Sequence, residues 1–86
     1  MMTSTSNTTA LLKLTVNLLN SHSRSLTRRE IVNLLRYSED LSPSVYKELY
    51  KMRHLLKNQV KSERMGQWGK FYYLTSKGQQ YFLGDV

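Results

Sequence analysis

Lys47, Lys51 and His54 recur at a spacing that, on a helix, places three nitrogen-bearing side chains on one side, with Tyr50 and Lys57 flanking them and Tyr46 and Arg53 further round. Amines, an imidazole and phenol hydroxyls in that arrangement donate to phosphate oxygens and to the edges of bases. A second cationic group, Lys61, Arg64 and Lys70, surrounds Gly66-Gln67-Trp68-Gly69, and a third, Arg28-Arg29, opens a helix upstream. The chemistry these residues share is recognition of a polyanion. The bland alternative is a solvated basic surface.

Composition agrees with the first of these. The 86 residues carry 13 Lys and Arg against 6 Asp and Glu, a formal charge of +7. Most of the excess falls after residue 41, within the segment that holds the first two clusters. Other chemistry is poorly supplied. Without cysteine there is no disulfide, thiol nucleophile or Cys-based zinc site. His22 and His54 lie on different elements without a ligand-spaced carboxylate, and Glu39-Asp40 are neighbours in a turn with no histidine beside them. No Gly-rich phosphate loop or Ser-His-Asp arrangement occurs. We therefore expect no enzyme activity, no metal, no cofactor and no small-molecule effector. No apolar run approaches the ~20 residues of a membrane span, and no charged segment leads into a hydrophobic one at the N-terminus. A cytoplasmic protein is the expectation.

The elements that must position these clusters are marked by their caps. Met1 to Thr8 is a Ser/Thr/Asn stretch read as a disordered tail, leaving one domain over 9–84. A first helix is expected from Thr9 to Asn20, capped by Thr8 or Thr9 and stopped by Asn20. Its apolar residues form two stripes, Leu12-Val16-Leu19 and Leu11-Leu14-Leu18. One stripe serves the core; the other, Leu11, Leu14 and Leu18, is assigned to a homodimer interface, or else the helix lies deep among the others. Thr27 and Glu30 form a capping box, with Leu26 and Ile31 as staple, for a second helix that fades near Tyr37 or Ser38. A third helix opens with Ser42 as N-cap and Pro43 at its first position. It buries Val45, Leu49, Met52 and Leu56, with Leu55 at the border, and Glu48 lies near the apolar edge without interrupting the positive face. After Asn58-Gln59 the periodicity turns to alternation, giving strands Val60 to Met65 and Lys70 to Thr75 around Gly66-Gln67-Trp68-Gly69. Trp68 stands at the tip. Thr75 caps a last helix, Ser76 to Leu83.

Helix, helix, helix, hairpin, short helix, together with Tyr72-Tyr73-Leu74-Thr75-Ser76-Lys77-Gly78, resembles the winged helix-turn-helix transcriptional regulators of bacteria and archaea, the Leu-Thr-x-x-Gly element being similar to that of the MarR-like and PadR-like groups. The resemblance implies a mainly α fold with a β-hairpin wing. It implies double-stranded DNA as partner, a third helix in the major groove, a wing on the backbone or minor groove, and a dimer on inverted repeats. On this footing Ser44, Tyr46, Lys47, Tyr50 and Lys51 would reach the groove. Arg28, Arg29, Ser42, His54 and Lys57 would hold phosphates, and Lys61, Arg64, Gln67, Trp68 and Lys70 would form the wing contact. The chain departs from the larger members in lacking extra dimerisation helices, and it has Asn58-Gln59 where glycine commonly ends the reading helix. Two rivals use the same residues differently: a protein-interaction module anchored by Tyr46, Tyr50 and Trp68, and a single-strand or RNA binder that stacks bases on the tyrosines.

Overall fold

The first helix, α1, spans Asn7–His22. It starts earlier than Thr9 because the Ser6 hydroxyl accepts the Thr9 N–H at 3.1 Å, so Ser6 is the capping residue, and it continues two residues past Asn20. Asn7 and Thr8 are thus helical; residues 1–5 of the expected tail lie outside the residues that this computed structural model describes, 6–22 and 25–84. Helix α1 packs against α2 (Arg28–Ser38), α3 (Pro43–Lys47), strand β3 (Phe71–Leu74) and α5 (Ser76–Phe82). Surrounded on several sides, it turns both of its stripes towards the core, with Leu12 and Leu14 partly buried at the edges. Leu11 (0% exposed) and Leu18 (8%) belong to the same core as Val16 and Leu19, and Leu14 is half-buried against it. The assignment to a dimer surface is thereby corrected for Leu11 and Leu18, which the chain covers itself; Leu14 remains partly exposed.

Thr27 ends one element and begins the next. Its hydroxyl accepts the Glu30 N–H at 3.1 Å while the Glu30 carboxylate accepts the Thr27 N–H at 2.9 Å, the reciprocal box that satisfies two otherwise orphaned donors of α2. Leu26 and Ile31, the staple pair, are fully buried. Leu26–Thr27 is also a strand, β1, which sequence periodicity does not reveal. It pairs antiparallel with β3, Leu26 opposite Tyr72 and Thr27 opposite Phe71.

The expected third helix is two. Ser42 caps α3, accepting the Val45 N–H at 3.3 Å, and Pro43 occupies its first turn. A 3₁₀ turn then covers Glu48–Lys51, and α4 runs over Met52–Lys61. In a 3₁₀ turn residues three apart eclipse. Leu49 and Met52 accordingly enter the core together, and Glu48 and Lys51 meet as an ion pair at 3.4 Å.

Helix α4 also runs through Val60 and Lys61, which were expected in a strand, and closes without glycine. Glu63 adopts a left-handed φ of 66°, the Arg64 N–H donates to the Gln59 carbonyl at 2.9 Å, and the Glu63 N–H donates to the Val60 carbonyl at 3.0 Å. This double bond pattern is a Schellman motif with glutamate in the position glycine usually takes. The hairpin is correspondingly shorter than expected: β2 is Met65–Trp68, and the turn is Gly69-Lys70, not Gly66 to Gly69. Gly69, at φ +64°, supplies the positive φ that so tight a turn requires. The sheet order is β1-β3-β2, antiparallel throughout.

Thr75 caps α5 as expected, accepting the Gly78 N–H at 3.0 Å, and its hydroxyl also donates to the Glu63 carbonyl at 2.7 Å. Gly78 lies so close to the Arg64 carbonyl that a β-carbon would overlap it. The Leu-Thr-x-x-Gly element therefore fastens α5 to the junction between α4 and the hairpin.

Two substitutions of opposite sign test this junction by urea unfolding. Glu63→Gly relieves a left-handed non-glycine residue and should stabilise the fold by about 0.5–1 kcal/mol, since the Glu63–Lys77 pair it removes is exposed. Gly78→Ala should destabilise it by about 1–3 kcal/mol, with the exposed Gln80→Ala as control within about 0.5 kcal/mol.

Candidate nucleic-acid interface

Pairing of β1 with β3 brings the first turn of α2 to the hairpin, and α4 passes beside both. Between them lies an open cleft of about 640 Å³ lined by Arg28 and Arg29 of α2, Arg53 and Lys57 of α4, Lys70 at the hairpin turn, and Thr27, Gln67, Gly69 and Tyr72. Five cations from three separated stretches of chain share this concavity, and no carboxylate is among its lining residues. The cleft is held in shape. Gln67 Nε2 donates to the Gly69 carbonyl at 3.0 Å, which fixes the turn carrying Lys70, and the capping box fixes the turn carrying Arg28 and Arg29. Three guanidinium forks, two amines and the adjoining helix N-terminus make a surface for successive anionic oxygens.

Of the residues expected at a phosphate backbone, Arg28, Arg29 and Lys57 meet here, joined by Gln67 and Lys70 from the expected wing. Arg53, assigned no role from sequence, belongs to the same cleft. His54 and Ser42 do not line it; His54 is exposed, and the Ser42 hydroxyl is engaged in capping α3.

The residues expected to read bases are more scattered. Tyr46, Lys47 and Tyr50 line a second cleft, also about 640 Å³, with Val32 and Arg36 of α2 and with Glu48 and Leu49. The Arg36 guanidinium lies 5.7 Å from the centre of the Tyr46 ring. Ser44 is exposed near the start of α3, outside both clefts. Lys51 is largely spent: Glu48, which also accepts the Thr8 hydroxyl at 3.2 Å, neutralises it, so Glu48 does interrupt the positive face. The reason is the 3₁₀ turn. Helix α3 ends at Lys47 and α4 begins at Met52, so Lys47 belongs to one helix and Arg53 and Lys57 to another, with the Glu48–Lys51 turn between them.

The wing set is corrected at three positions. Lys61 ends α4. Arg64 turns to α5, its guanidinium 3.7 Å from the centre of the Tyr81 ring, where it serves packing. Trp68 is the last residue of β2, not the tip, and strand alternation puts it on the sheet face opposite Gln67 and the cleft.

The comparisons add no relative: no family model, no curated protein and no solved structure matches the chain. The architecture is that of a mainly helical domain with a small three-stranded antiparallel sheet. Among the described residues no helix is long and apolar enough to cross a membrane.

Arg64 and Lys70 separate structure from binding. Arg64→Ala should lower stability by about 1 kcal/mol through loss of the contact with Tyr81, and change heparin affinity by less than about twofold. Lys70→Ala should do the reverse, leaving stability within about 0.5 kcal/mol and weakening heparin binding several-fold. Unfolding curves and titration calorimetry on the two variants check both halves.

Proposed function

We infer that this protein binds double-stranded DNA as a small winged helix-turn-helix and acts as a transcriptional regulator by occupying its site. The observation that carries this reading is the cleft with five cations and no acid, formed by the start of α2, the side of α4 and the hairpin turn. The element order, α1-β1-α2-α3/α4-β2-β3 with β1 paired to β3, supports the winged-helix assignment. The longest dimension, 34 Å, matches about one turn of B-DNA. In this arrangement Arg28 and Arg29 clamp one backbone beside the N-terminus of α2, and Lys70 holds the adjacent backbone from the wing. Arg53 and Lys57 draw the helix down between them, while Tyr46, Lys47 and Tyr50 in the second cleft face the groove floor or its edge.

The contact is dominated by phosphates, so its salt dependence is diagnostic. Five neutralised phosphates give a slope of log K against log salt near −4.5. Arg53→Ala combined with Lys57→Ala should flatten that slope by about 2 while leaving the preferred sequence unchanged, whereas Tyr50→Ala should relax preference at one or two base pairs. Selection from a randomised duplex pool at about 150 mM salt, followed by sequencing, measures preference and titration measures slope. A slope near zero would overturn the reading and favour the protein-interaction module, because an aromatic-centred interface such as one on Tyr46 and Tyr50 responds little to salt.

A further inference from the structure

The two faces of the hairpin differ in kind. The inner face carries Met65 and Tyr72 into the core and Gln67 to the cleft. The outer face carries Trp68 opposite Phe71 and Gly66 opposite Tyr73. Trp68 is 82% exposed, Tyr73 43% and Phe71 39%, so three aromatic side chains stand on one solvent-facing sheet surface. Leaving them bare is costly for a domain with a filled core. What fits them is indicated by their neighbour: Lys70, between Trp68 and Phe71 across the two-residue turn, belongs to the cationic cleft on the other side. A strand whose phosphates leave that cleft over the turn meets Trp68 first and Phe71 beside it.

We propose that the outer face of the hairpin, Trp68 with Phe71 and Tyr73, is a stacking platform for unpaired bases, so that the protein prefers duplex continued by a single strand over blunt duplex. This rests on the duplex-binding assignment of the cleft and adds a second, differently charged surface to it. Aromatic faces accept any base, so the platform confers a preference for unpaired structure and not for sequence. The cationic turn between cleft and platform supplies the phosphate contact that keeps a strand in passage.

Trp68 is the only tryptophan in the chain, and its emission reports directly on stacking. Two probes are titrated at equal salt: a blunt duplex, and the same duplex with a single-stranded extension of about six nucleotides. The extended probe is expected to bind about tenfold more tightly and to quench Trp68, with the blunt probe leaving its emission nearly unchanged. In Trp68→Ala, followed by anisotropy of labelled probes, the advantage of the extension should fall to about twofold or less with blunt-duplex affinity retained. Thermal unfolding of the variant should match the parent, because the side chain it removes is exposed. Arg53→Ala should weaken both probes alike.

Equal affinity for the two probes with unchanged emission overturns the platform and leaves the duplex reading standing. So does a Trp68→Ala variant that weakens both probes equally, because Trp68 is then an ordinary wing contact. Failure of the blunt duplex to bind, with quenching by the extension alone, overturns the duplex reading and retains the platform. Failure of both probes overturns both.

Discussion

Two backbone residues tie this molecule together. Leu26 and Thr27 pair with Tyr72 and Phe71, and this short antiparallel contact decides where the first turn of α2 lies relative to the hairpin. Without it only the packing of α4 against α2 and β2, and of α1 against α2 and β3, would hold Arg28 and Arg29 near Lys70. Thr27 is committed twice, its backbone to the sheet and its side chain to the cap of α2, so the strand and the helix have fixed relative directions. A two-residue strand supplies few hydrogen bonds. Its persistence depends on Leu26, which is fully buried and anchors the pairing from below.

Placing five cations around one concavity works against folding. Arg28 and Arg29 oppose the dipole of α2, and their repulsion with Arg53, Lys57 and Lys70 is relieved by solvent and salt but by no lining carboxylate. Elsewhere the chain handles its charges differently. Lys51 has Glu48, Lys77 has Glu63, and Arg64 lies over an aromatic ring. Basic residues outside the cleft are thus paired or packed at these three positions, while those lining it face each other across open space. A distribution of that kind gains stability when an anion enters, by mass action on the folded state.

Much of this architecture is legible from residue types because caps are local. Thr27 with Glu30, Ser42 with Pro43, and Thr75 with Gly78 announce helix starts through chemistry completed within four residues, and each forms as its sequence implies. The inward arc of Leu49, Met52 and Leu56, with Val45 partly buried beside it, is equally plain from spacing. What escapes a sequence reading is set at longer range or by exceptions. β1 is too short to show a period, and it exists only because β3 returns to it forty-five residues later, as the pairing of Thr27 with Phe71 and Leu26 with Tyr72 records. The end of α4 is hidden because glutamate, not glycine, takes the left-handed position, so alternation is inferred from Val60, five residues before β2 begins at Met65. The double stripe on α1 is visible, but only the packing of five elements around it shows that both halves turn inward.

The 3₁₀ turn at Glu48–Lys51 has the largest functional consequence of these exceptions. A helical wheel drawn through it merges Lys47, Lys51 and His54 into one reading face. The break between α3 and α4 divides the segment instead: Tyr46, Lys47 and Tyr50 accompany Val32 and Arg36, Arg53 and Lys57 accompany Arg28 and Arg29, and Lys51 and His54 line neither cleft. The aromatic and the cationic clefts are therefore offset along α2 by about one to two turns, Arg28 and Arg29 lining one and Val32 and Arg36 the other. Tyrosines and cations that lie side by side in sequence consequently line different clefts. In the proposed duplex complex the cationic end would engage a backbone of uniform charge, and the tyrosine end, half apolar and half hydroxyl, is where differences among bases would alter the energy of contact.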